Sequence, residues 1–244
     1  MDAVKQEMFE QAKAQGLEAG IVPVSNPPDE EQRLDELKRL GLVEKDFESD
    51  RRFNNVTQIA SYLTECPVSV INILSNDSQF CKLSSGVDVE TKERLKQTPR
   101  DTSICQYVLA TPGEQLIIED IDEDERTRNF QNMPSASGIR FYAGTPLVSS
   151  RGYALGTLCV VDFEPSKLVH GQKEGLRLLS DQVVTLLEQG DVPAGRVAGE
   201  NDSEADTGTE AKGESSPRQV SCLLILSASL VWSNRSSPVN CSTR

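Results

Sequence analysis

Among 244 residues, Asp and Glu number 38 against 25 Lys and Arg, a formal net charge of −13. That charge repels phosphate backbones and the basic residues do not cluster, so nucleic-acid binding is not expected. The single histidine, His170, excludes multi-histidine metal centres and weighs against a histidine-based nucleophilic triad.

Residues 1–17 carry Val4, Met8, Ala12 and Leu17 on roughly one face, which predicts a helix. Prolines at 23, 27 and 28 then break the chain. A second helix begins at Asp29, with Leu34, Leu37 and Leu40 as its stripe. Asp29 with Gln32 fits a capping box, and Gly41 suits the stop. A third spans 50–65, with Phe53, Val56, Ile59, Ala60 and Leu63 inward, and Cys66-Pro67 ends it.

Residues 68–74 (VSVINIL) predict a strand that alternates Val68, Val70, Asn72 and Leu74 against Ser69, Ile71 and Ile73. Asn76-Asp77 turns it into a second strand over 79–83. Residues 84–101 are polar and read as a loop with a short helix. Another short helix covers 103–110, ahead of Pro112-Gly113, and a strand covers 115–119. After an acidic connection over 120–138, residues 139–148 and 153–162 form a second hairpin. A long amphipathic helix over 169–189 turns Leu176, Leu179, Val183, Leu186 and Leu187 to one side. Antiparallel strand pairs with intervening helices predict an α+β sandwich, a central antiparallel sheet of five to six strands with helices on its faces.

The predicted organisation is an N-terminal helical extension (1–28), a folded domain (29–190), a disordered acidic linker (191–218) and a C-terminal tail of unassigned role (219–244). The linker is Gly, Glu, Ser, Asp and Thr with few large apolar residues, too little to offset the cost of ordering. In the tail, the apolar run over 220–232 is shorter than the ~20 residues that span a bilayer, so no membrane association is expected. The first 20 residues hold no continuous apolar run, which argues against a secretory leader. The six cysteines include no C-x-x-C pair, and a cytoplasmic location with reduced thiols is expected.

The segment GIRFYAGTPLVSSRGYALGTLCVVD (138–162) resembles bacterial signalling GAF domains. RLDELKRLGL, TPRDTSICQYVL and LIIEDIDEDERTRNF fit the opening helix, the cysteine motif and the following strand and loop in the same order. Within the string, the odd positions 139–147 would face one side of the sheet and Arg140, Tyr142, Gly144 and Pro146 the other. Gly144 and Gly156 would permit close backbone approach. The resemblance implies a GAF/PAS-like sheet with a small-molecule pocket on one side. Here that surface would draw on Phe80, Lys82, Thr102, Cys105, Asp120, Arg140 and Tyr142. At Arg140 a salt bridge to Asp120 or Glu119 competes with an anionic ligand.

The resemblance also sets expectations about cofactors. Some relatives attach a bilin through a Cys-His pair. Here Cys105 is followed by Gln106, so a covalent bilin is not expected. Cys105 is read as a packed thiol or, near a helix N-terminus, as a redox-responsive one. The motif of the free methionine sulfoxide reductases is missing, and the cyclic-nucleotide signature has only a faint echo at residues 128–131. The acidic loop from Asp120 to Glu125 lacks the glycine and final Glu of a calcium loop. His170 is expected on the surface. No catalytic residue, metal or cofactor is expected, and the ligand is not specified.

The resulting reading is a non-enzymatic sensor. It binds a small ligand or dimerises, and relays its state through the closing helix to a separate partner, a histidine kinase, a cyclase or another signalling protein. A homodimer is expected. A ligand-free dimerisation scaffold is the alternative, and a redox-sensing thiol protein ranks below both.

Overall fold

The computed structural model describes residues 3–132 and 138–189. The predicted linker and tail lie outside the described residues. Helices α1 (Ala3–Glu18), α2 (Glu30–Arg39) and α3 (Arg51–Thr64) precede strands β1 (Val68–Leu74) and β2 (Ser78–Ser85). Then come α4 (Val89–Leu95), β3 (Gln97–Pro99), α5 (Cys105–Ala110), β4 (Leu116–Ile118), β5 (Phe141–Val148), β6 (Ala154–Asp162) and α6 (His170–Glu188). The six strands form one antiparallel sheet in the order β3-β2-β1-β6-β5-β4. No described helix is long and apolar enough to cross a membrane.

The sheet separates two apolar cores. Ile71, Ile73, Phe141, Leu147, Leu158 and Val160 pack against α2, α3 and α6. Val68, Val70, Leu74, Tyr142 and Cys159 face α5, Ile118, Ile121 and Phe130. The expected alternation holds in β1, and in β5 from Phe141 onward. Ile139, expected with Phe141, instead lies against the α5-side core. β3 falls where the sequence reads as a loop. It is a three-residue edge strand on β2 that ends at Pro99, too short to show a period of two.

Local chemistry sets the helix ends. Gly41, at φ 61°, follows α2, and its N–H and that of Leu42 close back onto the Lys38 and Leu37 carbonyls. This is the paired C-terminal closure that a left-handed residue permits. The capping box at Asp29 is corrected. Its backbone (φ −102°, ψ 23°) is not extended, so its side chain caps nothing. On α3, Asp50 accepts from the Arg52 N–H. Ile59, expected inward, is 50% exposed and Leu63 is half-buried, whereas Thr57 and Thr64 are buried. Their hydroxyls donate to the Asn54 and Ala60 carbonyls at 3.0 and 2.7 Å, which lets polar residues occupy the inner face.

Helix α2 is fastened to the sheet by a buried arginine. Arg33, 1% exposed, donates to the Leu74 carbonyl at 2.7 Å, to Ala154 at 3.2 Å and to Ser75 at 3.3 Å. It also grips both oxygens of Glu30, which Arg100 reaches at 2.6 Å. Burial alone would raise the Glu30 carboxyl, but the two arginines outweigh it and hold the group below its ordinary 4.5. A depressed carboxylate contributes stability above its unfolded pKa and loses it as pH falls through the folded value. Glu30→Gln is therefore expected to be less stable than the wild type at pH 7, with the gap narrowing from pH 5 toward pH 3. Melting temperatures across that range check this, and an unchanged gap would exclude the ion pair as its source.

The N-terminal segment lies on the α5 side. α1 rests against β3 and the turn at Arg100–Thr102. Ile21 is buried, the Val24 N–H donates to Gln106 Oε1 at 2.7 Å, and Asn129 Nδ2 donates to the Gly20 carbonyl at 2.9 Å.

Candidate functional site

Between the sheet and α5 lies a buried group of uncharged polar side chains. β1 brings Asn72 to this face and β6 brings Thr157 and Cys159. Asn72 stands opposite Thr157, and Cys159 opposite Gly144 on β5. The Tyr142 ring lies along β5 over Gly144, where a Cβ would sit 2.4 Å from the phenol oxygen. The glycine thus makes room for this ring, where the sequence predicts room for a neighbouring backbone. From above, Ser103 Oγ accepts from the Cys105 N–H at 3.0 Å and donates to Gln79 Oε1.

Cys105 Sγ is the centre of the group. It accepts from Tyr142 Oη at 3.2 Å, from Thr157 Oγ1 at 3.4 Å and from Asn72 Nδ2 at 3.5 Å. The same amide nitrogen lies 3.6 Å from Cys159 Sγ. Asn72 Oδ1 is buried with no partner among the described residues. The amide is thus turned to give its donor to sulfur and leave its acceptor unused, an orientation that favours negative charge on the sulfur. The Cys159 thiol first, then the Thr157 and Tyr142 hydroxyls, draw Cys105 below the ordinary thiol range against the opposing effect of burial. Cys159 moves the other way, raised by Cys105 and by burial. Burial, with the Cys105 sulfur beside it, raises the Tyr142 phenol and keeps it a donor.

The seven residues expected to share one surface fall into four places. Cys105 and Tyr142 meet in the buried group. Asp120 and Arg140 form a two-pronged ion pair at 3.1 and 2.7 Å, with Asp122 at 3.2 Å from the same guanidinium. This is the salt-bridge reading of Arg140, and the guanidinium and its carboxylates hold each other. Thr102 donates its hydroxyl to the Pro99 carbonyl. Phe80 and Lys82 lie on the opposite face. Phe80 packs on the α3-side core, and Lys82 donates to the Val43 carbonyl at 2.8 Å above the Phe47 ring. Phe80 pairs with Ile73, whose side chain is in the α3-side core, and Lys82 is the extra residue of a bulge between Ile71 and Asn72. The single surface is corrected accordingly.

Asn72, Thr157 and Cys159 stand outside the expected set. The signal for Asn72 is legible, as a lone amide in a strand whose same-face neighbours are Val70 and Leu74. In the acidic loop, Asp124 holds Arg126 and Asp120 holds Arg140. Among the described residues no group of three or more His, Cys, Asp or Glu side chains is arranged to hold a metal ion. His170 is exposed at the start of α6.

A family model for the GAF domain matches residues 48–187, more than half of the chain. Over 139 residues the chain is 34% identical to a cyclic di-GMP phosphodiesterase of Pseudomonas aeruginosa. The match covers 57% of this chain and 22% of that protein, so the chain spans about a fifth of that relative's length. Among solved structures, the GAF domain of an Acinetobacter phosphoenolpyruvate-protein phosphotransferase aligns with a TM-score of 0.46 at 19% identity, covering 68% of this chain and 96% of that one. The blue-light absorbing form of the Thermosynechococcus elongatus PixJ GAF domain aligns at 0.48 and 16% identity, covering 64% and 89%. By the family match over residues 48–187, the chain belongs to the GAF domain family.

Proposed function

We propose that this GAF domain is a non-enzymatic sensory module whose sensing site is the buried group around Cys105, and that α6 relays its state to a separate signalling partner. The observation that carries the reading is the unpartnered Asn72 Oδ1 on β1, set among Cys105 on α5, Tyr142 on β5 and Thr157 on β6. Among the described residues no charged side chain bonds to this group, so its natural occupant is a small neutral molecule that donates a hydrogen bond. β1 and β6 also carry Ile71, Ile73, Leu158 and Val160 on the face where α6 packs, so a change at Asn72 or Thr157 reaches that helix through two strands. Such a ligand biases the domain only through its differential affinity for two arrangements.

The relative from P. aeruginosa, named as a cyclic di-GMP phosphodiesterase, supports a signalling setting, and kinases or cyclases remain the other partner classes. A homodimer is part of the proposal. Ile59 and Tyr62 on α3 and Leu178 on α6 are exposed apolar residues on two packed helices. Native mass spectrometry, compared with the denatured mass, tests the reading. A retained small molecule that raises the melting temperature supports it, whereas a clean ligand-free dimer with no such response favours a scaffold. A strict monomer at tens of micromolar would remove the dimer.

A further inference from the structure

We propose that Cys105 and Cys159 are a redox pair that a hydroperoxide converts to a disulfide. This rests on the reading of the buried group as the sensing site and names the class of its signal. Three observations lead to it. Both sulfurs lie within hydrogen-bonding reach of one amide nitrogen, at 3.5 and 3.6 Å. Cys105 Sγ receives three donors from three strands, an arrangement that stabilises a thiolate, the form that attacks. The adjoining acceptor Asn72 Oδ1 is free to take the hydroxyl hydrogen of an incoming peroxide, a neutral molecule little larger than water.

The chemistry is a two-electron oxidation. The Cys105 thiolate attacks one peroxide oxygen, an S–O bond forms and the O–O bond breaks. The departing hydroxide takes up the proton that Cys105 had released and leaves as water. Cys159 sulfur then attacks Cys105 sulfur. An S–S bond forms, the S–O bond breaks, and the second hydroxide leaves as water with the Cys159 proton. Two thiols and one hydrogen peroxide give one disulfide and two waters. The new bond ties α5 to β6 and replaces the thiolate that accepted from Asn72 Nδ2 by a neutral disulfide sulfur, so β1 must repack beside β6.

The test treats the reduced full chain with hydrogen peroxide, quenches it in acid, blocks free thiols and maps the peptides. Hydrogen exchange is followed in α6. A Cys105–Cys159 link that dithiothreitol reverses is expected, and Cys159→Ala should trap a dimedone-reactive Cys105 instead. Asn72→Leu should slow the link about tenfold, the order expected for one charge-assisted hydrogen bond. Oxidation at Cys66 or the half-buried Cys81 while Cys105 stays reduced would overturn the proposal, as would a link from Cys105 to Cys81. Both results come from the wild type and do not depend on a variant folding. If the link forms and α6 exchange changes, pair and relay both stand. If it forms with α6 unchanged, the pair stands and the relay fails. If it does not form but a retained small molecule changes α6 exchange, the relay stands and the pair fails.

Discussion

Arg33→Ala is expected to lower stability by about 3–5 kcal/mol, the range for removing one partner of a buried ion pair. For a domain of this size that is a fall in melting temperature of about 10 °C. The loss has several sources. The Leu74 and Ala154 carbonyls lose a buried donor, Glu30 keeps only Arg100, and a long side chain leaves a void between α2 and the sheet. Arg33→Lys should recover only part, because one ammonium cannot span three carbonyls and a carboxylate in the geometry of the planar fork. Lys38→Ala, on the same helix, removes an exposed pair with Asp35 and should change little. Thermal unfolding followed by circular dichroism would show the contrast. A small loss at Arg33 would mean that α2 is held by Leu37 and its apolar neighbours instead.

Where the chain writes its structure in periodicity, the fold is readable. The alternation in VSVINIL places Asn72 on its true face, and the spacing of Leu176, Val183, Leu186 and Leu187 gives the inner side of α6. Readings fail where a single contact overrides the pattern. Ile59 fits the helical stripe of α3, yet hydroxyls that bond back to their own helix let Thr57 and Thr64 take the inner face. Phe80 turns away from Cys105 because the hairpin register pairs it with Ile73 rather than with Asn72 or Leu74, and composition does not fix which strand residues stand opposite each other. Arg33 reads as one more charge in EEQRLDELKR, and its burial depends on carbonyls more than 40 residues away in sequence. The Cys105 group is half legible. The motif cysteine and Tyr142 stand out, but Cys159 sits in the strongly apolar string LGTLCVVD and reads as core until the β1–β6 register sets it beside Asn72.

Gly156→Ala tests that register directly and is expected to be the more disruptive of two glycine substitutions. A Cβ at 156 would stand 1.9 Å from the Asn72 carbonyl oxygen and 3.0 Å from the Ile73 Cα. Both are backbone atoms of the neighbouring central strand, so no rotamer change relieves the clash. β1 and β6 must move apart at the pair Ile73–Gly156, in the middle of a sheet that carries both cores. The expected loss is about 3 kcal/mol, the upper end for overpacking, because ladder hydrogen bonds are strained together with side-chain packing. At Gly171, in the first turn of α6, a Cβ meets nothing within 4 Å. Gly171→Ala should instead stabilise by about 0.5–1 kcal/mol, by restricting the unfolded chain and favouring helix. Denaturant unfolding of the two variants checks the pair. Because the 156 clash falls on Asn72 itself, any folded fraction of Gly156→Ala should also lose the amide contact to Cys105. Its thiol should then alkylate at a pH dependence nearer that of an ordinary cysteine than in the wild type. A Gly156→Ala variant as stable as the wild type, with Cys105 unchanged, would mean that the central strands tolerate a wider spacing than this ladder implies.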